Sequence, residues 1–136
     1  MSTLEAGTNP AQEDSNRIRW GRIVVGAILL EIALIVLFVP LLAFMDISRL
    51  VPFAGIATFG LGFLAGRWVA RKAPGRRVLH GTLAGMLATL LYLGMCMIGP
   101  GGLAAALVIY GTPLFVAGNG LRIVGCATGA YFYRYH

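Results

Sequence analysis

Four apolar runs of about 20 residues each account for most of this 136-residue chain and restrict it to a narrow class of folds. Hydrophobic residues make up 58% of the sequence and charged residues 12%, about half the charged share of soluble domains. That much apolar sequence exceeds what a soluble core of this size can bury, whereas each run is long enough to cross a bilayer as a helix. The sequence therefore predicts an all-α, polytopic membrane protein with four transmembrane helices.

The predicted boundaries divide the chain into a tail and one transmembrane domain. Residues 1–16 are polar and non-periodic, which predicts a disordered cytoplasmic tail. Residues 17–136 form the predicted four-helix domain, whose first apolar run is too long for a signal peptide. Its expected spans lie at about 23–45, 52–70, 78–98 and 113–133.

Basic residues cluster at the ends of the apolar runs. All eleven lysines and arginines except Arg49 and Arg122 fall near the N-terminus, in the segment 67–77 or near the C-terminus. Because positive residues favour the cytoplasmic side, both termini are expected to be cytoplasmic. Membrane topology thus accounts for the net charge of +6 and argues against nucleic-acid binding. His80, where the third span leaves the cytoplasm, is expected to be interfacial and partly solvated.

The segment 103–110 admits two interpretations. It begins a long fourth helix, or it forms a short hydrophobic helix that lies at the outer interface or dips into it. Thr112 followed by Pro113 favours the second interpretation, because threonine is a good N-cap and proline suits the first helical position. The fourth span is then expected to begin at Pro113.

Small residues recur at helical spacing along the second, third and fourth spans. On the second span, Gly62 and Gly66 form a Gly-x-x-x-Gly motif on a face of small residues, and such faces let helix backbones approach closely in lipid. A shift of 63 residues also aligns the second span with the fourth. A duplicated helical hairpin and chance matches in a glycine-rich chain both explain that alignment. The predicted packing glycines are Gly55, Gly62, Gly66, Gly81, Gly85, Gly118, Gly125 and Gly129.

Glu31 is the acidic residue deep inside an apolar run, and Arg122 is its basic counterpart in a later run. A charged side chain at that depth costs roughly 2.5–3.5 kcal/mol on insertion scales, so it needs a partner, water or a function. At a rise of about 1.5 Å per residue, Glu31 lies about 13 Å beyond Arg22. Arg122 lies about 18 Å before Arg134, a depth similar enough for the two side chains to meet. The predicted intramembrane polar site comprises Glu31, Arg122 and Asn119, with Asn119 satisfying the remaining hydrogen bonds.

Three interpretations of this polar site stay open. The pair fixes helix packing and register, or Glu31 is a proton or ion site, or Arg122 reaches water instead of pairing. The sequence contains no nucleophile–base set, phosphate loop or metal-ligand spacing, so no catalytic residue, metal or cofactor is predicted. Cys96 and Cys126 lie at different predicted depths, which argues against a disulfide.

Two local resemblances to known families add expectations. The segments 66–72 (GRWVARK) and 79–85 (LHGTLAG) resemble small bacterial four-helix integral membrane proteins of uncharacterised function. That resemblance implies the plasma (inner) membrane of a prokaryote and no particular activity. The segment 26–32 (GAILLEI) resembles the first helix of the small multidrug resistance transporters, four-helix dimers whose membrane glutamate exchanges protons for cationic drugs. This second resemblance implies that Glu31 is a proton site, although Arg122 would repel a cationic substrate.

The expected function follows from the small-residue faces. The sequence predicts a non-enzymatic membrane protein that acts through helix packing and membrane assembly. Its expected partners are the lipid bilayer and either further copies of the chain or another membrane protein. A small proton-coupled transporter with Glu31 as its proton site is the alternative.

Overall fold

The computed structural model describes residues 17–73 and 75–133, except for the side chains at positions 47 and 48. The predicted tail at 1–16 lies outside the described residues, as does Arg134, which follows the predicted fourth span. Within the described ranges the chain is all-α and contains no strand. The described residues form five helices in succession: α1 (Trp20–Leu42), α2 (Ile47–Ala70), α3 (Arg77–Ile98), α4 (Gly102–Tyr110) and α5 (Thr112–Phe132).

Three of these helices, α1, α2 and α3, are long and apolar enough to cross a membrane. α5 carries the polar side chains of Asn119 and Arg122, and it meets the same criterion only together with α4. The described part of the chain therefore has three candidate spans, or four if the bent α4–α5 pair is one span. Large apolar side chains such as Val36, Ile56 and Leu64 are exposed on the outside of the bundle. Such a surface suits hydrocarbon and not water, as in a multi-pass membrane protein.

α2 begins earlier than the sequence indicates. Pro52 is expected in the first turn of the second span, but α2 starts at Ile47, and Pro52 lies inside the helix. The backbone amides of Arg49 and Leu50 donate to the carbonyl of Asp46, at 3.0 and 3.2 Å, and these bonds form the additional turn. One missing amide near a helix start removes a single backbone bond, so Pro52 does not break the helix. α1 ends about one turn earlier than predicted.

The segment 103–110 lies in a separate helix, α4, whose axis is bent by 99° from that of α5. Gly111, which joins α4 to α5 with a φ of +70°, permits this break, and Gly101, with a φ of +80°, precedes α4 on its other side. A continuous long fourth helix, one of the two interpretations of the sequence, is therefore wrong. Thr112 is also the first helical residue of α5, and Gly111 occupies the N-cap position expected for it.

The bundle is built around α2 and α3, which pack against each other and against both α1 and α5. α1 and α5 thus lie at opposite corners. The closest approach joins α2 to α5, where a Cβ atom at Gly66 would overlap the carbonyl group of Cys126. A Cβ atom at Gly129 would likewise overlap the carbonyl group of Phe63. Only glycine permits backbones this close, so these positions fix the separation of the two helices.

The glycine contacts between α2 and α5 are reciprocal under the shift of 63 residues. A Cβ atom at Gly62 would lie 3.3 Å from the carbonyl oxygen of Arg122. A Cβ atom at Gly125 would lie 2.7 Å from the carbonyl oxygen of Phe59. Residue 62 corresponds to 125 in the shifted alignment, and residue 59 to 122. The two helices therefore contact each other through equivalent positions, which is the arrangement that a duplicated hairpin would produce.

Most of the predicted packing glycines are used within the chain. Gly81 and Gly85 of α3 lie so close to α5 that a Cβ atom at either would meet its backbone. Gly118 differs from its prediction, because no atom lies within 4 Å of a Cβ atom built there. Gly55, its equivalent in α2, would make only an ordinary contact with Leu121, at 3.5 Å. α2 and α5 thus diverge toward this end, and the tight glycine faces are already covered by neighbouring helices of the same chain.

Candidate functional site

An ion pair lies inside the bundle and joins the opposite corners α1 and α5. Arg122 donates from Nε to Oε1 of Glu31 over 2.9 Å, and the two side chains are 9% and 7% exposed. Ala27, Leu30 and Leu34 are buried on the same face of α1, at the spacing of a helical stripe. That apolar stripe packs into the bundle and directs the Glu31 carboxylate inward, toward Arg122.

Asn119, the third predicted site residue, holds Arg122 from a second direction. Nη1 of Arg122 donates to Oδ1 of Asn119 at 3.3 Å, and Nδ2 of Asn119 donates to the carbonyl of Phe115 at 2.9 Å. The ring of Tyr92 supports the guanidinium from a third direction, with its centroid 4.1 Å from the guanidinium carbon. A desolvated cation–π contact contributes about 2 kcal/mol. Tyr92 is not among the predicted site residues. Its position on the small-residue face of the third span is the feature of the sequence that could have indicated its place in the site.

Two atoms of the ion pair remain open. Within the described ranges, Oε2 of Glu31 and Nη2 of Arg122 take part in no hydrogen bond. Both residues are among those that line the cavity described next. The pair therefore carries no net charge but still offers one hydrogen-bond acceptor and a donor group.

A cavity of about 540 Å³ lies beside these open atoms. It occupies the half of the bundle away from Arg71, Lys72 and Arg76, where α2 and α5 diverge. Apolar side chains of α1, α2, α3 and α5 form most of its wall, and Ile109 and Tyr110 of α4 also line it. Glu31 and Arg122 lie at its inner end. The volume falls within the range of about 300–1,000 Å³ that is typical of small-molecule sites.

A second polar contact, centred on His80, lies at the opposite end of the bundle. The sequence predicts a partly solvated His80, but this side chain is only 2% exposed. The backbone amide of Arg19 donates to Nε2 at 3.1 Å, so Nδ1 carries the proton and donates to the carbonyl of Arg76 at 3.0 Å. Nearby, Nη2 of Arg22 donates to the carbonyl of Trp68 at 2.9 Å. These contacts fasten the start of α1, and the burial of His80 by that segment is not visible in the sequence.

The chemistry available at the cavity is binding and charge or proton exchange. Within the described ranges, no group of three or more His, Cys, Asp or Glu residues could hold a metal ion. Cys96 and Cys126 are free thiols. The inner end of the cavity instead presents a carboxylate, a guanidinium and an amide, which can orient a polar group.

Comparisons with known proteins do not indicate a function for this chain. No protein-family model matches the chain, and neither a curated protein nor a solved structure matches it significantly. The cavity and the ion pair at its inner end are therefore the features of the molecule that indicate a function.

Proposed function

We propose that this chain is a non-enzymatic, four-span protein of a prokaryotic plasma membrane, with both termini on the cytoplasmic side. The bent α4–α5 pair is then the fourth span, with α4 at the outer interface. The grouping of bases at one end of the bundle supports this topology. At that end Arg19 donates to His80, and the guanidinium of Arg77 lies 5.6 Å from the ring centroid of Tyr133.

The function that we propose is the binding of a lipophilic molecule from the bilayer in the cavity. The cavity itself supports this proposal, since its apolar wall suits a hydrocarbon chain and its ion pair can hold a polar end. Assembly through the glycine faces, expected from the sequence, has less support because α2, α3 and α5 cover those faces among themselves. Contacts with a further copy or another membrane protein would use the outer, lipid-facing surface.

A photoreactive hydrocarbon tests whether the cavity is occupied. In nanodiscs, a diazirine-bearing alkane without a polar head is expected to label Leu34 and Thr58, which line the cavity and are 5% and 6% exposed. Gly118→Leu is expected to reduce this labelling about tenfold. The leucine side chain would occupy part of the cavity, and the probe would lose the apolar contacts that it makes there. Labelled positions are identified by peptide mass spectrometry, with Val36, which faces outward, as the internal reference.

Gly60→Leu is the matched control for this experiment. Gly60 also has no atom within 4 Å of a built Cβ, but it is exposed and does not line the cavity. Labelling of Leu34 and Thr58 is expected to remain at the wild-type level in this variant. Absence of labelling in the wild type, or equal labelling in Gly118→Leu, would show that the cavity binds no lipophile.

Proton-coupled exchange is the second candidate function, and it is favoured by the position of Glu31 in the cavity wall. The single negative charge of Glu31 is already paired with Arg122. Exchange therefore requires the hydrogen bond to Arg122 to break when Glu31 binds a proton or a cation. In proteoliposomes with an imposed pH gradient, this candidate predicts uptake of ethidium, a lipophilic cation, above that of empty liposomes. Glu31→Gln is expected to abolish the uptake and Asp46→Asn, at an exposed acidic residue, to preserve it. Equal uptake by the wild type and Glu31→Gln contradicts a proton site at Glu31.

A further inference from the structure

Charge balance at the inner end of the cavity restricts the polar group that can bind there. Glu31 and Arg122 neutralise each other through their hydrogen bond of 2.9 Å. A ligand with a net charge would lose its water on entering without gaining an unpaired counterion, and such burial is strongly unfavourable. An uncharged polar group avoids that penalty provided that its hydrogen bonds are satisfied.

The open atoms of the pair define those hydrogen bonds. Oε2 of Glu31 can accept one, and Nη2 of Arg122 can donate one. Tyr92 covers one face of the guanidinium and itself lines the cavity, so a ligand would reach the ion pair beside this ring. A hydroxyl group both donates and accepts, and therefore matches the two atoms with a single oxygen.

The remainder of the cavity restricts the other end of the ligand. Along α1 the wall extends from Glu31 to Leu42, about 16 Å, and Leu34 and Phe38 contribute apolar surface to it. We infer that the cavity binds an uncharged amphiphile, with an aliphatic chain along this wall and a hydroxyl-type head on Glu31 Oε2 and Arg122 Nη2. The inference rests on the proposed binding function and specifies its ligand class.

Three photoreactive probes that differ only in their heads test this ligand class. Each carries the same diazirine-bearing dodecyl chain and ends in a hydroxyl, a sulfonate or a trimethylammonium group, so that two heads keep a permanent charge. Labelling of Leu34 and Thr58 is divided by labelling of Val36 to correct for partitioning into the nanodisc. The hydroxyl probe is expected to exceed both charged probes about tenfold or more in the wild-type protein. Equal or stronger labelling by either charged probe overturns the inference.

Removing one charge of the pair should change the preference in a defined direction. Glu31→Gln leaves Arg122 without its counterion, so the sulfonate probe is expected to gain about tenfold or more and to overtake the hydroxyl probe. Asp46→Asn removes an exposed acid outside the cavity, and it should leave the order of the three probes unchanged. An unchanged order in folded Glu31→Gln argues against recognition by the pair. If this variant does not fold, the wild-type comparison decides the question.

The outcomes separate this inference from the function on which it rests. When the headless alkane labels the cavity but the head group makes no difference, the binding function stands and the ligand class is overturned. When neither the alkane nor any of the three probes labels Leu34 and Thr58, the binding function itself fails. Selective labelling by the hydroxyl probe supports both.

Discussion

Gly66→Leu is expected to raise the rate of chemical modification of the Cys126 thiol about a hundredfold. Cys126 is fully buried, and its carbonyl group lies where a Cβ atom at Gly66 would be placed. A backbone group cannot move aside by changing rotamer, so α2 and α5 must separate. Overpacking costs about 1–3 kcal/mol, and the upper end of that range corresponds to about a hundredfold more of the open state.

The measurement uses a small membrane-permeant thiol reagent on protein in nanodiscs, in a Cys96→Ser background so that one thiol reacts. Gly60→Leu, on the same helix, is the control, because a side chain at Gly60 meets open space. Both substitutions raise helix propensity by a similar amount, up to about 1 kcal/mol, so propensity cannot account for a difference. A similar reaction rate in the two variants would mean that α2 and α5 do not touch at Gly66.

Glu31→Leu and Arg122→Met are each expected to lower the free energy of unfolding by about 3–5 kcal/mol. Each substitution leaves the opposite charge buried beside apolar side chains without the partner that holds it at 2.9 Å. The double variant removes both charges and is expected to recover most of the loss, because apolar pairs often replace buried ion pairs without destabilisation. Loss of one charge is thus expected to destabilise the protein strongly, whereas the intact pair adds little net stability compared with an apolar pair.

Thermal or denaturant unfolding of the four proteins in the same detergent gives the required double-mutant cycle. A coupling free energy of about 3 kcal/mol or more between positions 31 and 122 is expected. Asn119→Ala serves as a graded comparison, since it removes the hydrogen bond from Arg122 at 3.3 Å and the one to the carbonyl of Phe115 at 2.9 Å, and it should cost about 1–2 kcal/mol. Additive effects of the two charge-removing substitutions are incompatible with a functioning ion pair.

The features that the sequence predicts well depend on position along a helix. Glu31 and Arg122 can be paired from the sequence because the helical rise converts residue number into depth. Gly62 and Gly125 can be assigned to helix faces because spacings of three and four place residues on one side. Membrane-spanning lengths follow in the same way for α1, α2 and α3, whose limits differ from prediction by about a turn or less at most ends.

The features that it misses depend on the angle between helices. Gly118 and Gly125 share one stripe, yet Gly125 meets α2 and Gly118 faces open space, because the helices diverge. That divergence creates the cavity, and the spacing of residues along a single helix does not predict it. His80 is buried and accepts a hydrogen bond from the backbone of Arg19, before α1, and the bend of 99° between α4 and α5 occurs at Gly111, whose φ is +70°. To predict these features, one must know how separate segments of the chain are positioned and oriented relative to each other. The residue pattern of a single helix does not contain that information.

The reciprocal contact between α2 and α5 carries a charged residue on one side only, since Arg122 of α5 corresponds to Phe59 of α2. Two identical hairpins associating through this contact would carry every substitution twice, so an arginine at the position of Arg122 would occur on both sides of the axis. Within one chain the two equivalent positions can differ, as Phe59 and Arg122 do. Covalent linkage also makes the association independent of concentration. A single acid–base centre is therefore accessible to the fused chain, whereas a symmetric dimer must contain two.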